Sequence, residues 1–389
     1  MPDRPFRVAV DARSVNTGHL RGIGKSVYEL IKRTAASGAV EWHLLADRPD
    51  RPMQVADPGA CDVSVFETRG DRFHAWEQWS LPRRARQLGV DVLHAPGTSM
   101  PWWQPVPTVV TIHDTIPWQH QDPAWPAGFY KDKLLPAAYH RAAAVTTVSE
   151  CSRRDILSRW PHLQPRLHVI SPGVDERYLD AESDRQPVQL GDRVLTEPYL
   201  LYIGGSDPRK RLMWALQAWW GAAPCGASLV VCGVDVADHD NVRRMVPRQL
   251  QDRLVLAPFV SEEDMPRLYM RADAVLYPTL YEGFGLPVVE AQAVGTPVLF
   301  SDVGSLAELK GPGAVVLPVD DLPAWVRTIT NILQSRDSIH GPDRIARAWA
   351  RQYSWDAYTE RTLAVYEAVG EKRPAQHGRG HGVQQGAAS

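Results

Sequence analysis

The chain reads as an α/β protein made of two Rossmann-like, doubly wound parallel-sheet domains. Three observations predict this. At 389 residues it is longer than one hydrophobic core serves well. Two trains of short apolar runs alternate with longer helical segments, which is the βαβ rhythm of a parallel sheet. Between the trains lies a stretch at 171–198, opening SPGVD, that is rich in Pro, Asp and Arg and lacks periodicity, as an interdomain connection does. The expected division is an N-terminal domain at 1–172, a linker at 173–198 and a second domain at 199–350. A helix at 351–370 and a disordered, apolar-poor tail at 371–389 complete it.

In the first domain, apolar runs place strands at 6–12, 41–46, 62–67, 91–95, 108–113, 145–149 and 166–170. After the first comes a loop, 14–25, holding Gly22, Ile23 and Gly24, and then a helix from about Lys25 to Ala36. Lys25-Ser26 suggests a P-loop, but the template needs Gly at position 19, where His19 stands. A glycine turn at the mouth of a first parallel strand still makes a good phosphate neighbour. The segment 73–87 reads as one helix with Trp76 and Trp79 near a common face and Arg83, Arg84 and Arg86 at its end. It is either a core helix with a solvated basic end or an interfacial element with Trp anchors. Trp102, Trp103, Trp118 and Trp125 raise the aromatic density nearby, suited to stacking on a sugar or lining a lipid path. His113 ends a strand and is expected to open into the crevice, and Ser149 is a candidate N-cap for the helix that follows it.

The second domain carries strands at 199–204, 227–233, 253–257, 274–277, 297–300 and 314–317. Its first strand feeds GGSDPRKRL, where Arg209 and Lys210 follow a glycine-rich turn and are placed to neutralise a diphosphate. Gly233 and the turn at Phe259-Val260 would border a base. Asp238-His239-Asp240 has the form of a D-x-D metal motif, yet it sits in a polar stretch and reads as a solvated loop; no metal site and no cofactor are expected.

The densest chemistry lies in Tyr281–Glu290, YEGFGLPVVE. A buried strand ends in Pro278, Gly283 and Gly285 permit a sharp turn, and Pro287 sits in the first turn of the next helix. The amides of Phe284, Gly285 and Leu286 then leave a helix N-terminus as an anion site. Glu282 and Glu290 flank it. A carboxylate beside a phosphate is unfavourable unless occupied, and sugar hydroxyls would occupy it, so the pattern points to a nucleotide-diphosphate sugar.

Composition adds bounds. The net charge is −2, split as +4 over residues 1–173 and −6 over 174–389, which argues against nucleic acid. The basic half is compatible with an anionic membrane surface or a lipid-diphosphate acceptor. Cys61, Cys151, Cys225 and Cys232 lack paired spacing and fit a reducing cytoplasm. The N-terminus reads as a strand rather than a signal peptide, and no run is long enough to span a bilayer. Any membrane contact would be peripheral, at the inner face of the cell membrane.

YEGFGLPVVE resembles the E-x7-E motif of the retaining nucleotide-sugar glycosyltransferases of family 4, which have the GT-B fold. The resemblance covers about residues 6–370. It implies two domains facing each other across a cleft, with the last helix crossing back to the first domain. Gly22, Ile23 and Gly24 match the GIG-type loop over the donor diphosphate, with Lys25 where Arg is more usual. HDTIP, from His113, matches the strand end whose His lies beside the transferred sugar, and TTVSECSRRDI is similar to an element near the acceptor. Lys210 matches the family's Lys, whereas Gly204 stands where many members have an Arg, so Arg209 must serve. Members with that departure include users of GDP-mannose.

The resemblance therefore implies a retaining, metal-independent hexosyltransferase. His113, Glu282, Arg209 and Lys210 would be catalytic, and Gly22, Ile23, Gly24, Gly233, Val260, Phe284, Gly285, Leu286 and Glu290 would bind the donor. The acceptor would be a glycan or a lipid-diphosphate-linked saccharide of bacterial exopolysaccharide or O-antigen synthesis. A UDP- or dTDP-sugar donor, a sugar-nucleotide epimerase, a phosphorylase and a non-catalytic binding module are the alternatives.

Overall fold

The computed structural model describes residues 4–18, 20, 22–66, 72–119, 127–181, 187–190, 193–195, 199–257, 260–335 and 343–371. Trp125, Phe259 and the tail beyond residue 371 lie outside the described residues.

The first domain is built on seven strands: β1 (Phe6–Asp11), β2 (Val40–Ala46), β3 (Cys61–Val65), β4 (Val92–Ala95), β5 (Thr108–Thr111), β6 (Ala144–Thr147) and β7 (Leu167–Val169). They form one parallel sheet in the order β3-β2-β1-β4-β5-β6-β7. A two-stranded hairpin, β8 (Val188–Leu190) and β9 (Arg193–Leu195), follows in the linker. The second domain holds β10 (Tyr199–Ile203), β11 (Ser228–Cys232), β12 (Leu254–Leu256), β13 (Ala274–Tyr277), β14 (Val298–Ser301) and β15 (Ala314–Leu317). These form a second parallel sheet, β12-β11-β10-β13-β14-β15. Central strands such as β5, β11 and β13 are buried along their whole length, which is why valine, leucine and other apolar residues dominate their sequences.

In each sheet the strand order reverses once, between β1 and β4 and between β10 and β13. Crevices for ligands form beyond the carboxyl ends of strands at such reversals. Arg209 and Lys210 follow β10 and the YEGFG turn follows β13, the two strands at the second reversal, while His113 follows β5, the neighbour of β4 in the first sheet.

Three expectations need correction. The first helix spans Gly22–Thr34, so Gly22, Ile23 and Gly24 form its first turn rather than a preceding loop. The reason is packing: a Cβ on Gly24 would stand 2.4 Å from the Ser14 carbonyl oxygen, so only glycine lets this turn seat against the end of β1. The Trp76 segment begins as a π-helix, Arg72–Ser80, before the α-helix Leu81–Leu88. The wider winding breaks the three-residue face relation, leaving Trp76 buried and Trp79 exposed. The D-x-D stretch is helical, with Asp238 ending one short helix and Asp240 in the next. Among the described residues no cluster of His, Cys, Asp and Glu could hold a metal.

The last helix, Trp355–Gly370, is capped by the Ser354 hydroxyl and packs on the first domain. Gly173 lies so close to its start that a Cβ would sit 2.3 Å from the Trp355 nitrogen. Farther along, the Tyr366 hydroxyl meets His94 Nδ1 at 2.7 Å, while His94 Nε2 meets Thr111 Oγ1 at 2.9 Å. Burial, reinforced by His113 nearby, drives the His94 pKa down to about 3. A folded-state pKa below the unfolded value gives stability that is present above about pH 6.5 and lost as pH falls towards 3. Urea unfolding should therefore show a loss of about 2 kcal/mol between pH 6.5 and pH 5 from this histidine, at about 1.4 kcal/mol per pH unit. His94→Gln should have a visibly shallower slope; an unchanged slope would place the acid sensitivity elsewhere.

Candidate active site at the domain interface

The turn after β13 is held by its carbonyl groups. The Ser305 hydroxyl lies 2.8 Å from both the Glu282 and the Phe284 carbonyl oxygens and shares its one proton between them. From the other domain, the Ser149 hydroxyl donates to the Gly283 carbonyl at 2.7 Å. The Ser152 hydroxyl bridges the Gly283 carbonyl at 3.2 Å and the His113 carbonyl at 2.9 Å. The backbone at Gly283 approaches His113 so closely that a Cβ would stand 2.8 Å from the His113 oxygen. Gly285, at φ +109°, caps the helix Leu286–Val294, and a Cβ there would strike Leu306. With the carbonyls engaged, the amides of Phe284, Gly285 and Leu286 have no acceptor among the described residues. Free amides at a helix start form an anion site.

Beside them stand the cations. A short turn, Pro208–Lys210, is capped by Asp207, whose carboxylate accepts from the Arg209 amide at 2.9 Å. Lys210 Nζ lies 2.6 Å from Glu282 Oε1, and Arg209 Nη1 lies 2.9 Å from the same oxygen. The Thr279 hydroxyl donates to that oxygen at 2.9 Å. Lys210 also donates to the Tyr277 hydroxyl at 2.8 Å, and Arg209 to the Tyr281 carbonyl. Glu282 is buried, so it holds both cations at the lip of the anion site.

His113 Nε2 donates to the Pro96 carbonyl at 2.8 Å, which leaves Nδ1 as the acceptor nitrogen of the neutral ring. Burial keeps its pKa below the usual value, partly offset by Pro96 and Asp114. Asp114 is raised by burial, and Arg209 and Glu282 of the other domain are among its electrostatic neighbours.

Glu290 lies in a second cluster. The Tyr269 hydroxyl donates to it at 2.6 Å, and burial raises its pKa while Lys25 opposes the rise. Lys25 Nζ sits 3.5 Å from Asp175 and 3.8 Å from Glu262. Arg177 joins those two carboxylates, at 2.7 Å from each. Thus the first helix, the linker and the turn after Val260 meet around Glu290. Gly233, at φ +92°, faces Gly205 backbone to backbone, and Val260 packs on the core beside β10 and β11.

The structure thus brings Arg209, Lys210 and Glu282 into direct contact, with Phe284, Gly285 and Leu286 adjoining and His113 joined through Gly283. Gly22, Ile23 and Gly24 share no hydrogen bond with that turn among the described residues; Lys25 reaches across instead. Sequence reasoning missed Asp175, Arg177, Glu262 and Asp114 as parts of the site. It read Ser149 as a helix cap, which it is, since it accepts from the Ser152 amide at 3.0 Å. Its donation to the other domain carried no local signal.

Two family patterns match the chain. Glycosyltransferase Family 4 matches residues 20–178, and Glycosyl transferases group 1 matches residues 197–335. Over 373 residues the chain is 28% identical to the O-antigen chain mannosyltransferase B of Escherichia coli, covering 90% of this chain and 97% of that one. In fold it is similar to sucrose-phosphate synthase from Thermosynechococcus elongatus, with a TM-score of 0.70, 20% identity, and 95% and 100% of the two chains covered. It is also similar to HepE of Anabaena in complex with UDP-glucose, with a TM-score of 0.68, 16% identity, and 93% and 99% covered. The architecture is GT-B.

Removing both hydroxyls in Ser149→Ala/Ser152→Ala leaves the buried Gly283 carbonyl without its donors. We expect a loss of about 3 kcal/mol in urea unfolding, about 2 kcal/mol from the unsatisfied buried acceptor and about 1 kcal/mol from the lost helix cap at Ser149. Ser152→Ala alone should cost less, because Ser149 remains; wild-type stability in the double variant would show that these bonds do not hold the turn.

Proposed function

With a glycosyltransferase domain matched in each half and the GT-B fold around them, the chain is a glycosyltransferase, and we propose that it moves a hexose with retention from a nucleotide sugar. GDP-mannose is the favoured donor, and the acceptor is a lipid-linked or saccharide chain of a bacterial exopolysaccharide or O-antigen. The observation that carries this reading is the pair of cations gathered on one oxygen of Glu282, next to three amides without acceptors. The 28% identity with an O-antigen chain mannosyltransferase supports mannose and the polysaccharide context.

Arg209 and Lys210 receive the diphosphate with the amides of Phe284, Gly285 and Leu286, and the first turn at Gly22, Ile23 and Gly24 covers it. The phosphate replaces Glu282 as the partner of the cations, and Glu282 turns to the sugar hydroxyls. Glu290 holds the ribose, while backbone at Gly233 and Val260 borders the base. His113 offers Nδ1 to a sugar hydroxyl. The bond from the anomeric carbon to the β-phosphate oxygen breaks as the acceptor oxygen bonds to that carbon on the same face. The acceptor proton passes to the leaving phosphate, so no covalent enzyme intermediate forms. Arginine, lysine and helix amides take the leaving-group charge, a role that elsewhere falls to a metal. No cofactor beyond the donor is required. Domain closure keeps water from the donor.

Among the described residues no helix is long and apolar enough to cross a membrane, and all four cysteines are unpaired. These features support a cytoplasmic enzyme that meets a membrane-bound acceptor peripherally.

Transfer from labelled GDP-mannose should fall a hundredfold or more in Lys210→Ala and in Glu290→Ala, the scale of losing one preorganised charge contact. Glu282→Ala should behave differently. It should lose transfer yet bind GDP at least as tightly as wild type, because it removes the competitor for both cations. Wild-type turnover in the Lys210 and Glu290 variants would remove the assignment.

A further inference from the structure

A groove of about 520 Å³ opens on the first domain, lined by Gln78, Trp79, Arg83, Trp102, Trp103 and Leu134. It is apart from the cation and amide cluster, yet it shares a loop with it. The loop after β4 carries Pro96, which accepts from His113, and continues to Trp102 and Trp103 in the groove wall. That loop is stitched down: the Ser99 hydroxyl donates to the fully buried Glu77 at 2.7 Å, and the Trp102 amide donates to Gln78 at 2.8 Å.

The surface is costly to leave in water. Trp79 is 56% exposed and Trp102 43%. The Arg83 guanidinium lies over the Trp79 ring at 5.0 Å and over Trp103 at 5.8 Å, and Arg141 lies over Trp102 at 4.8 Å. Among the described residues neither arginine has a carboxylate partner, and each is held by aromatic faces instead. The Gln78 side chain is spent on Glu77, Met100 and Trp102. Among the described residues the wall therefore offers apolar faces and the Arg83 cation, with the Arg141 cation stacked on its Trp102, and it holds none of the carboxylates that usually recognise the hydroxyls of a neutral saccharide. Its complement is a hydrocarbon chain that ends in an anion.

We propose that this groove binds the lipid of a phosphate-linked acceptor, with the hydrocarbon against Trp79, Trp102, Trp103 and Leu134 and the phosphate on Arg83 and Arg141. The proposal rests on the glycosyltransferase reading, which makes the acceptor the ligand of this domain. It separates the two acceptor classes left open above in favour of the lipid-linked one. Seating the phosphate here would put whatever it carries on the side of the loop that holds His113.

The test titrates the full chain with farnesyl phosphate and with farnesol, both below micelle formation, followed by tryptophan fluorescence. Calorimetry with GDP runs in parallel. Farnesyl phosphate should saturate the wild type and bind at least tenfold more tightly than farnesol, as expected for a charge-assisted arginine contact. Arg83→Ala/Arg141→Ala should remove that difference, and Trp102→Ala should weaken both ligands, with GDP affinity unchanged in every variant. Equal binding of the two ligands by the wild type, or unchanged farnesyl phosphate affinity in the arginine variant, would overturn the proposal. So would binding only to anionic phosphatidylglycerol vesicles, which would make the groove a bilayer-docking face. Failure of GDP to bind would count against the enzymatic reading and leave the lipid titration to decide the groove.

Discussion

The site depends on which side of one turn is satisfied. Between Glu282 and Phe284 three successive carbonyls accept from serine hydroxyls, one serine belonging to the same domain and two to the other. A peptide unit whose carbonyl is pinned has its N–H direction fixed as well. The amides of Phe284 and Gly285 are thereby aimed away from the protein's own acceptors, and that of Leu286 is fixed by the Val288 amide, which donates to the Gly285 carbonyl at 3.0 Å, at the start of a helix whose dipole favours negative charge. The glycines are the other half of the constraint, since side chains at Gly283 or Gly285 would strike His113 or Leu306. Because the pins come from both domains, the same hydroxyls that shape the anion site also register one domain against the other.

Electrostatics then divides the cleft into two parts. On one side Glu282 gathers Arg209 and Lys210, a charge arrangement that an incoming diphosphate can take over. On the other, Asp175, Arg177, Glu262, Lys25 and Glu290 form a mixed cluster that joins the first helix, the linker and the second domain. The linker is therefore part of the site's wall, and its short hairpin and the four-residue helix at Glu176–Leu179 give it local structure.

Much of this was legible in the amino-acid order. The central strands of the two sheets announce themselves by their apolar residues, because a parallel strand inside a sheet is covered on both faces. The spacing of Glu282 and Glu290 about a glycine turn drew attention to the turn whose amides lack acceptors, and PRK after a glycine-rich turn to the two cations that meet Glu282. What the order hid was relational. That Glu282 would hold both cations, or that Ser149 would reach Gly283, depends on partners more than seventy residues away. The hairpin β8–β9 was lost in a polar stretch whose alternation is only three residues long on each side. Gly22 and Gly24 resembled loop residues because glycine signals turns more often than close packing. The π-winding at Arg72–Ser80 leaves the hydrophobic pattern uninformative about which tryptophan faces outwards.

Two cations and a set of backbone amides side by side suit a diphosphate better than a single phosphate. Calorimetry with GDP and GMP tests this preference most directly. Wild-type protein should bind GDP at least tenfold more tightly than GMP, a difference of about 1.4 kcal/mol or more, and Lys210→Ala should erase most of the gap. Equal affinity for the two nucleotides in the wild type would contradict it.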